Sequence, residues 1–227
     1  MGGRELRIGV TVFPGSNCDR DAMYGIERAG AVPVELWHAD ADLKGVDAVV
    51  VPGGFSYGDY LRPGAIARFA KVMAPLEEFA NSGGSILGVC NGFQVLTEAH
   101  LLPGALLRNS NMRFICDRVA VRVENVETPW TSLFESGYGL TLPVAHNEGN
   151  YFADERTLAE LEDEGRVVLR YVENPNGSAN DIAGICSEGG NVVGLMPHPE
   201  RASDPLLGSG EGLRVFESVL RFAGARA

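Results

Sequence analysis

Ser85-Ile86-Leu87-Gly88-Val89-Cys90-Asn91-Gly92-Phe93-Gln94 decides how the rest of the chain reads. Ser85 to Val89 is an apolar strand that runs without a break into Cys90, and a helical pattern follows from Asn91 to about Ala99. A strand turning sharply into a helix is the repeating unit of a doubly wound sheet. Upstream the same alternation recurs. Leu6 to Phe13 is β-branched and apolar, is closed by Pro14-Gly15-Ser16-Asn17, and precedes a helix over Asp19 to Ala29 that ends at Gly30. Val34 to Trp37 and Asp47 to Val51 read as two further strands, the second stopped by Pro52-Gly53-Gly54. Gly64 to Ala80 has apolar residues at a helical period, interrupted by Pro75.

Downstream the pattern changes. Phe114 to Glu124, Leu140 to Ala145, Val167 to Val172, Ile182 to Cys186 and Val192 to Met196 read as strands, with helices over Ala153 to Glu164 and Gly212 to Ala223. The expected fold is therefore α/β: a doubly wound, mostly parallel central sheet flanked by helices, with an antiparallel annex. With no repeat and no linker, residues 1–227 are expected to form one domain.

Composition narrows the function. The 227 residues carry 30 Asp plus Glu against 19 Lys plus Arg, a net charge of −11, which disfavours a nucleic-acid clamp. The two lysines, Lys44 and Lys71, lie in no G-x-x-x-x-G-K-[ST] motif, so the phosphate-cradling loop of that nucleotide-binding class is absent. No apolar run reaches the ~18–20 residues that span a bilayer, and the short stretch from Ile8 to Phe13 does not read as a secretory segment. A cytoplasmic protein without membrane contact is expected. Cys18, Cys90, Cys116 and Cys186 are far apart and form no C-x-x-C pair, which disfavours a metal site and a disulfide framework.

Gly88-Val89-Cys90-Asn91-Gly92 has the G-x-nucleophile-x-G form of a nucleophile elbow, with cysteine as the nucleophile. Small residues two before and two after let neighbouring backbone pack closely around a strained turn. The N-terminus of the following helix favours thiolate over thiol. Free cysteine is often simply buried, and that is the reading for Cys18, Cys116 and Cys186. A cysteine nucleophile wants a base and the base an orienter. In extended backbone residues two apart share a face, so His198 and Glu200 can point together. His146 and Glu148 have the same spacing, and spacing leaves both pairs open, whereas His38 and His100 read as ordinary histidines. Gly53-Gly54 offers backbone N–H donors for a developing oxyanion, or is only a turn.

These residues carry a resemblance. Gly88 to Gln94, Pro52-Gly53-Gly54 and His198-Pro199-Glu200 resemble the class I (triad) glutamine amidotransferases. Three more runs, Val12 to Asp19, Pro52 to Arg62 and Asn174-Pro175-Asn176-Gly177-Ser178, extend the likeness over essentially the whole chain and narrow it to glutaminase subunits that serve purine synthesis. The resemblance implies Cys90 as nucleophile on the side-chain amide of L-glutamine, His198 as base and then acid, and Glu200 as its orienter, which favours His198 over His146. It implies oxyanion donors at Gly54 and Asn91, and substrate contacts at Gln94 and Gly53. It also implies no metal or cofactor in this chain. ATP and Mg would be used by a separate synthetase subunit that converts formylglycinamide ribonucleotide to its amidine, completed in many bacteria by a small third subunit. Phe55 to Arg62 and Pro143 to Tyr151 are expected near that interface, and Met1-Gly2-Gly3 reads as an extension beyond the family pattern.

Overall fold

Runs with no polar alternation make strands buried on both faces, which is how parallel strands between helical layers are built. Ala48–Val51 (β3), Ser85–Val89 (β4) and Val192–Leu195 (β11) have no exposed residue and lie side by side in parallel register. The computed structural model describes residues 5–224, so the Met1-Gly2-Gly3 extension lies outside the described residues. Arg7–Val12 (β1) and Val32–Trp37 (β2) complete the parallel half of one nine-stranded sheet, ordered β2-β1-β3-β4-β11.

The antiparallel strands continue that same sheet. Ile182–Cys186 (β10), Val167–Tyr171 (β9), Ile115–Val123 (β6) and Gly139–His146 (β7) follow β11 in the order β10-β9-β6-β7. Burial alternates along β6 and β7, as expected where one face is covered and the other meets solvent. A separate short ribbon pairs Ala105–Leu107 (β5) with Asn150–Phe152 (β8), both too short to stand out in the sequence.

Helix Asp19–Ala29 (α1) ends at Gly30 in the left-handed conformation, and it packs on β1, β2 and the C-terminal helix Leu213–Gly224 (α5). Asn91–Glu98 (α3) packs on β3, β4 and β11, and Glu155–Asp163 (α4) is capped by Asp154. The helix expected over Gly64 to Ala80 is two pieces, a 3-10 turn at Ala67–Phe69 and helix Met73–Asn81 (α2), separated by the extended Ala70. The break frees Phe69, which is 77% exposed rather than core-facing. Pro75 falls in the first turn of α2, where its missing N–H costs no helical bond.

Because β1, β3, β4 and β11 are parallel neighbours, their carboxyl ends open on one edge of the sheet. Those ends lead into the 13–18 turn, Gly53-Gly54, Cys90 and the 196–200 segment. Open α/β sheets bind ligands at that edge.

Candidate active site

Cys90 stands between β4 and α3 with φ 50° and ψ −105°, a conformation that side chains adopt only when the surroundings impose it. The flanking glycines are what impose it. A Cβ on Gly92 would lie 1.8 Å from the Val51 carbonyl oxygen, and one on Gly88 would lie 2.8 Å from the Gly92 carbonyl carbon and 2.5 Å from Leu96 Cδ1. With neither Cβ present, α3 sits directly on β3 and β4 and the chain must turn tightly at Cys90. The Cys90 N–H donates to the Leu195 carbonyl at 2.7 Å, tying the elbow to β11, and its Sγ lies 3.7 Å from the Ala145 carbonyl.

His198 arrives from the carboxyl end of β11. Its N–H donates to the Pro143 carbonyl at 2.8 Å, and its extended backbone leads into the 3-10 turn Pro199–Ala202. That turn brings Glu200 back under the ring, with His198 Nδ1 and Glu200 Oε1 2.5 Å apart and both side chains 1% exposed. Among the described residues, Glu200 Oε2 is buried with no hydrogen-bond partner and His198 Nε2 has no nitrogen or oxygen partner. Burial works to keep the imidazole neutral, but the Glu200 carboxylate, with the sulfurs of Cys90 and Cys18, outweighs it and holds His198 well above the ordinary histidine range. Cys90, His198 and Gly54 line one cavity of about 180 Å³, with Asn17, Phe55, Phe114, Ala145 and Arg201.

The rival pair separates. His146 is buried, with Nδ1 3.0 Å from Asn109 Oδ1. Burial, reinforced by His198, pushes it down to about 4. Glu148 does not orient it: that carboxylate accepts from Asn147 Nδ2 at 2.7 Å and lies 3.6 Å from Arg108. His38 bonds Tyr57 through Nδ1 at 2.6 Å, and His100 lines a different cavity of about 510 Å³ beside Leu101 and Arg166 that contains none of the expected site residues.

The glycine loop after β3 is braced by the turn after β1. The Phe55 N–H donates to the Gly15 carbonyl at 3.0 Å, the Cys18 N–H to the Gly53 carbonyl at 3.3 Å, and Ser16 bridges Gly54. Gly54 has φ +144°, and its Cβ would strike Asn17 N and Ser16 Cα at 2.8 Å. Gly53 lies against the base: its Cβ would be 2.7 Å from His198 Cε1. Asn91 opens α3, so its N–H has no carbonyl a turn earlier to bond. Gln94 is turned elsewhere. Its Nε2 donates to the Glu148 carbonyl at 2.6 Å and its Oε1 accepts from Asn91 Nδ2 at 2.9 Å.

Two residues escaped the sequence reading. Arg201 lines the cavity and donates through Nη2 to Cys18 Sγ at 2.8 Å. Cys18, read as an ordinary buried cysteine, has its sulfur within 4.8 Å of a nitrogen of His198 and a carboxylate oxygen of Glu200. Such a donor set could hold a metal ion, although the Arg201 guanidinium beside the sulfur opposes a cation there. The adjacency of Glu200 and Arg201 was the available signal for Arg201; nothing in the spacing links Cys18 to residue 198. Tyr151 is a correction: it is 1% exposed, stacked on Phe93, and so is no surface contact, whereas Tyr60 is 74% exposed. No helix among the described residues is long and apolar enough to cross a membrane.

Comparison with known proteins identifies the family. The family model of the CobB/CobQ-like glutamine amidotransferase domain matches residues 5–211. Phosphoribosylformylglycinamidine synthase subunit PurQ of Rubrobacter xylanophilus is 77% identical, over 97% of this chain and 100% of that protein. The same subunit of Streptomyces avermitilis is 59% identical, over 95% and 97%. Among solved structures, a chain of PurLQS from Thermotoga maritima superposes with a TM-score of 0.90 at 46% identity, covering 97% of this chain and all of that one. A glutamine amidotransferase from the same organism, 17% identical with a TM-score of 0.62, shares the fold. The three-layer α/β fold thus has a full-length counterpart, and the chain belongs to the PurQ family of glutamine amidotransferases.

Proposed function

We propose that Cys90, His198 and Glu200 are the catalytic triad of the glutaminase subunit of phosphoribosylformylglycinamidine synthase. The observation that carries this reading is the elbow itself. A cysteine in strained backbone faces the same small cavity as a buried imidazole whose far nitrogen is held by a carboxylate.

The Cys90 thiolate attacks the side-chain carbonyl carbon of L-glutamine, and the N–H groups of Gly54 and Asn91 receive the negative charge that moves onto oxygen. His198, protonated, gives its proton to the departing nitrogen, so the C–N bond breaks and ammonia leaves a glutamyl thioester. Now neutral, His198 takes a proton from water, which adds to the thioester carbon. The C–S bond then breaks, which leaves Cys90 as thiolate beside the protonated His198, and the product departs as glutamate, its carboxyl proton passing to solvent. Glu200 holds the ring in register through Nδ1 and stabilises its charged form. Gly53 makes room for the imidazole. Gln94, one helical turn after the nucleophile, is the proposed substrate contact, and reaching the substrate requires its amide to exchange its present bonds to Glu148 and Asn91.

The ammonia is passed to a PurL synthetase subunit, which uses ATP and Mg to convert formylglycinamide ribonucleotide (FGAR) to the amidine FGAM in de novo purine biosynthesis, with a small PurS subunit completing the assembly. This division fits a chain with two lysines and no phosphate loop. The protein acts in the cytoplasm, without nucleic acid or membrane. The test uses Cys90→Ala assembled with its synthetase. Glutamine-dependent amidation should vanish while amidation from added ammonium salt persists; survival of the first, or loss of both, overturns the assignment.

A further inference from the structure

We propose that the side chain of Asn91 is a positioning group that holds the oxyanion loop in place over Cys90, acting through Ser56 and Asp59. The proposal rests on the glutaminase reading and adds a role to the Asn91 carboxamide beyond that of its backbone N–H.

Beyond Gly54 the chain takes an improbable path. Tyr57, Gly58, Asp59 and Leu61 have φ of 54°, 72°, 53° and 71°. Three of the four carry a side chain, and such residues enter the left-handed region in succession only where neighbours over-determine the path. The neighbours are identifiable. The Tyr57 N–H donates to the Pro14 carbonyl at 2.6 Å and the Gly58 N–H to the Phe55 carbonyl at 2.7 Å, which fixes the loop to the 13–18 turn and to itself. Arg62 fastens the far end of the loop to Glu98, at the last turn of α3, and beside the nucleophile the link to that helix is the Asn91 carboxamide. Asn91 Oδ1 accepts from the Ser56 N–H at 3.1 Å, and Asn91 Nδ2 donates to Asp59 Oδ1 at 3.2 Å and to Gln94 Oε1 at 2.9 Å. Its acceptor and both of its N–H groups are thereby used, in a place where Asn91 and Ser56 are 3% and 2% exposed.

The residue next to the nucleophile thus grips the loop two residues beyond Gly54. Amide chemistry is required on both sides. An aliphatic residue would strand the buried Ser56 N–H, and a carboxylate would meet the carboxylate of Asp59. Asp59 has little tolerance for another negative neighbour, because burial, aided by Glu148 and partly offset by Asn91, already pushes it up to about 6.

The assembly with the synthetase tests this through reciprocal rescue, read as kcat and KM for glutamine hydrolysis. Asn91→Asp should lower kcat about tenfold or more while KM changes less than about threefold, because the damage falls on oxyanion placement rather than on binding. Asp59→Asn alone should stay within about threefold of wild type, since its amide oxygen can still accept from Asn91. The double variant Asn91→Asp with Asp59→Asn should regain at least about fivefold over Asn91→Asp, because the new amide at 59 now donates to the new carboxylate at 91. Asn91→Ser, which removes the reach without adding charge, should lose kcat similarly and gain nothing from Asp59→Asn. Wild-type kcat in Asn91→Asp, absence of rescue in the double variant, or equal rescue of Asn91→Ser overturns the proposal. Ammonium-dependent amidation by the same assemblies reports that each has folded and docked. If the Asn91→Asp assembly does not form, Asn91→Ser with and without Asp59→Asn decides. A wild-type assembly that consumed no glutamine would instead sink the glutaminase reading, whatever the variants did.

Discussion

Replacing Gly53 with alanine tests whether the closeness of the glycine loop to the base matters to the chemistry. The backbone of Gly53 is outside the left-handed region, so the question is one of space alone. The new Cβ would stand 2.7 Å from His198 Cε1, 3.1 Å from Cys18 Sγ and 3.4 Å from His198 Nδ1. Carbon atoms in contact settle at about 3.5 Å or more, so the ring and the loop must separate by about 0.8 Å. The ring has little freedom to absorb this, being 1% exposed, bonded to Glu200 through Nδ1 and anchored through its own N–H to Pro143. If the ring gives way, the imidazole shifts relative to Cys90 across the cavity they share; if the loop gives way, Gly54 moves off the proposed oxyanion position. A displacement near 1 Å costs on the order of 10²-fold in rate, equivalent to about 2.7 kcal/mol of barrier. Glutamine hydrolysis by the assembled complex should therefore fall about 10- to 100-fold in kcat/KM, with ammonium-dependent amidation unchanged. Thermal melting should move by only a few degrees, since no strand is disturbed. Wild-type kcat/KM in Gly53→Ala would refute the claim that the loop and the imidazole are packed to working tolerance.

Two other perturbations read the elbow and its surroundings. Gly92→Ala places a Cβ 1.8 Å from the Val51 carbonyl oxygen, backbone against backbone, so a loss of about 3 kcal/mol or more is expected in urea unfolding. Gly30→Ala, strained at φ +90° but with nothing within 4 Å, should cost only about 1 kcal/mol and leave hydrolysis intact. His146 carries a pH signature. Its folded value of about 4 lies below its ordinary 6.5, so the unfolded chain takes up a proton there that the folded chain refuses. Stability from this residue is present above pH 6.5 and declines as pH falls toward 4, by up to about 3 kcal/mol. The stability deficit of His146→Gln relative to wild type, measured by urea unfolding, should accordingly shrink between pH 7 and pH 4. A constant deficit would mean that the imidazole is not held neutral by burial.

The parallel half of the sheet was legible because burial on both faces leaves an unmistakable residue pattern. Ala48–Val51, Ser85–Val89 and Val192–Leu195 carry no polar alternation, and glycines mark where each neighbouring turn must be tight. The antiparallel strands were visible one by one, but their order was not, since nothing local says that β9 lies between β10 and β6. The helix expected over Gly64 to Ala80 failed for a related reason. Phe69 keeps the helical period, yet Ala70 turns extended and releases it to solvent. At the site, Cys90 could be read from the glycines two residues to either side, whereas His198 and Glu200 share their spacing with His146 and Glu148 and only the resemblance favoured them. Cys18 and Arg201 could not be read, because their contact joins the ends of β1 and β11, strands that are not themselves neighbours.

That a strained cysteine and a buried ion-pairing imidazole sit together has a physical reason. Cys90 occupies a backbone conformation that costs on the order of 1–3 kcal/mol, and among the described residues Glu200 Oε2 is buried without a partner, a further cost of roughly 1–3 kcal/mol. A flexible loop would relax both. Here relaxation is blocked from every side. The elbow is tied to β11 through Leu195, the base to β7 through Pro143, and the glycine loop to the turn after β1 through Gly15. The ties are a few backbone hydrogen bonds, but each ends in or beside a strand whose neighbours are buried apolar residues, so moving one group means moving part of the core. Four parallel strands ending on one edge are therefore more than a place to put a pocket. They supply the stiffness that keeps a strained cysteine and a buried imidazole at one cavity.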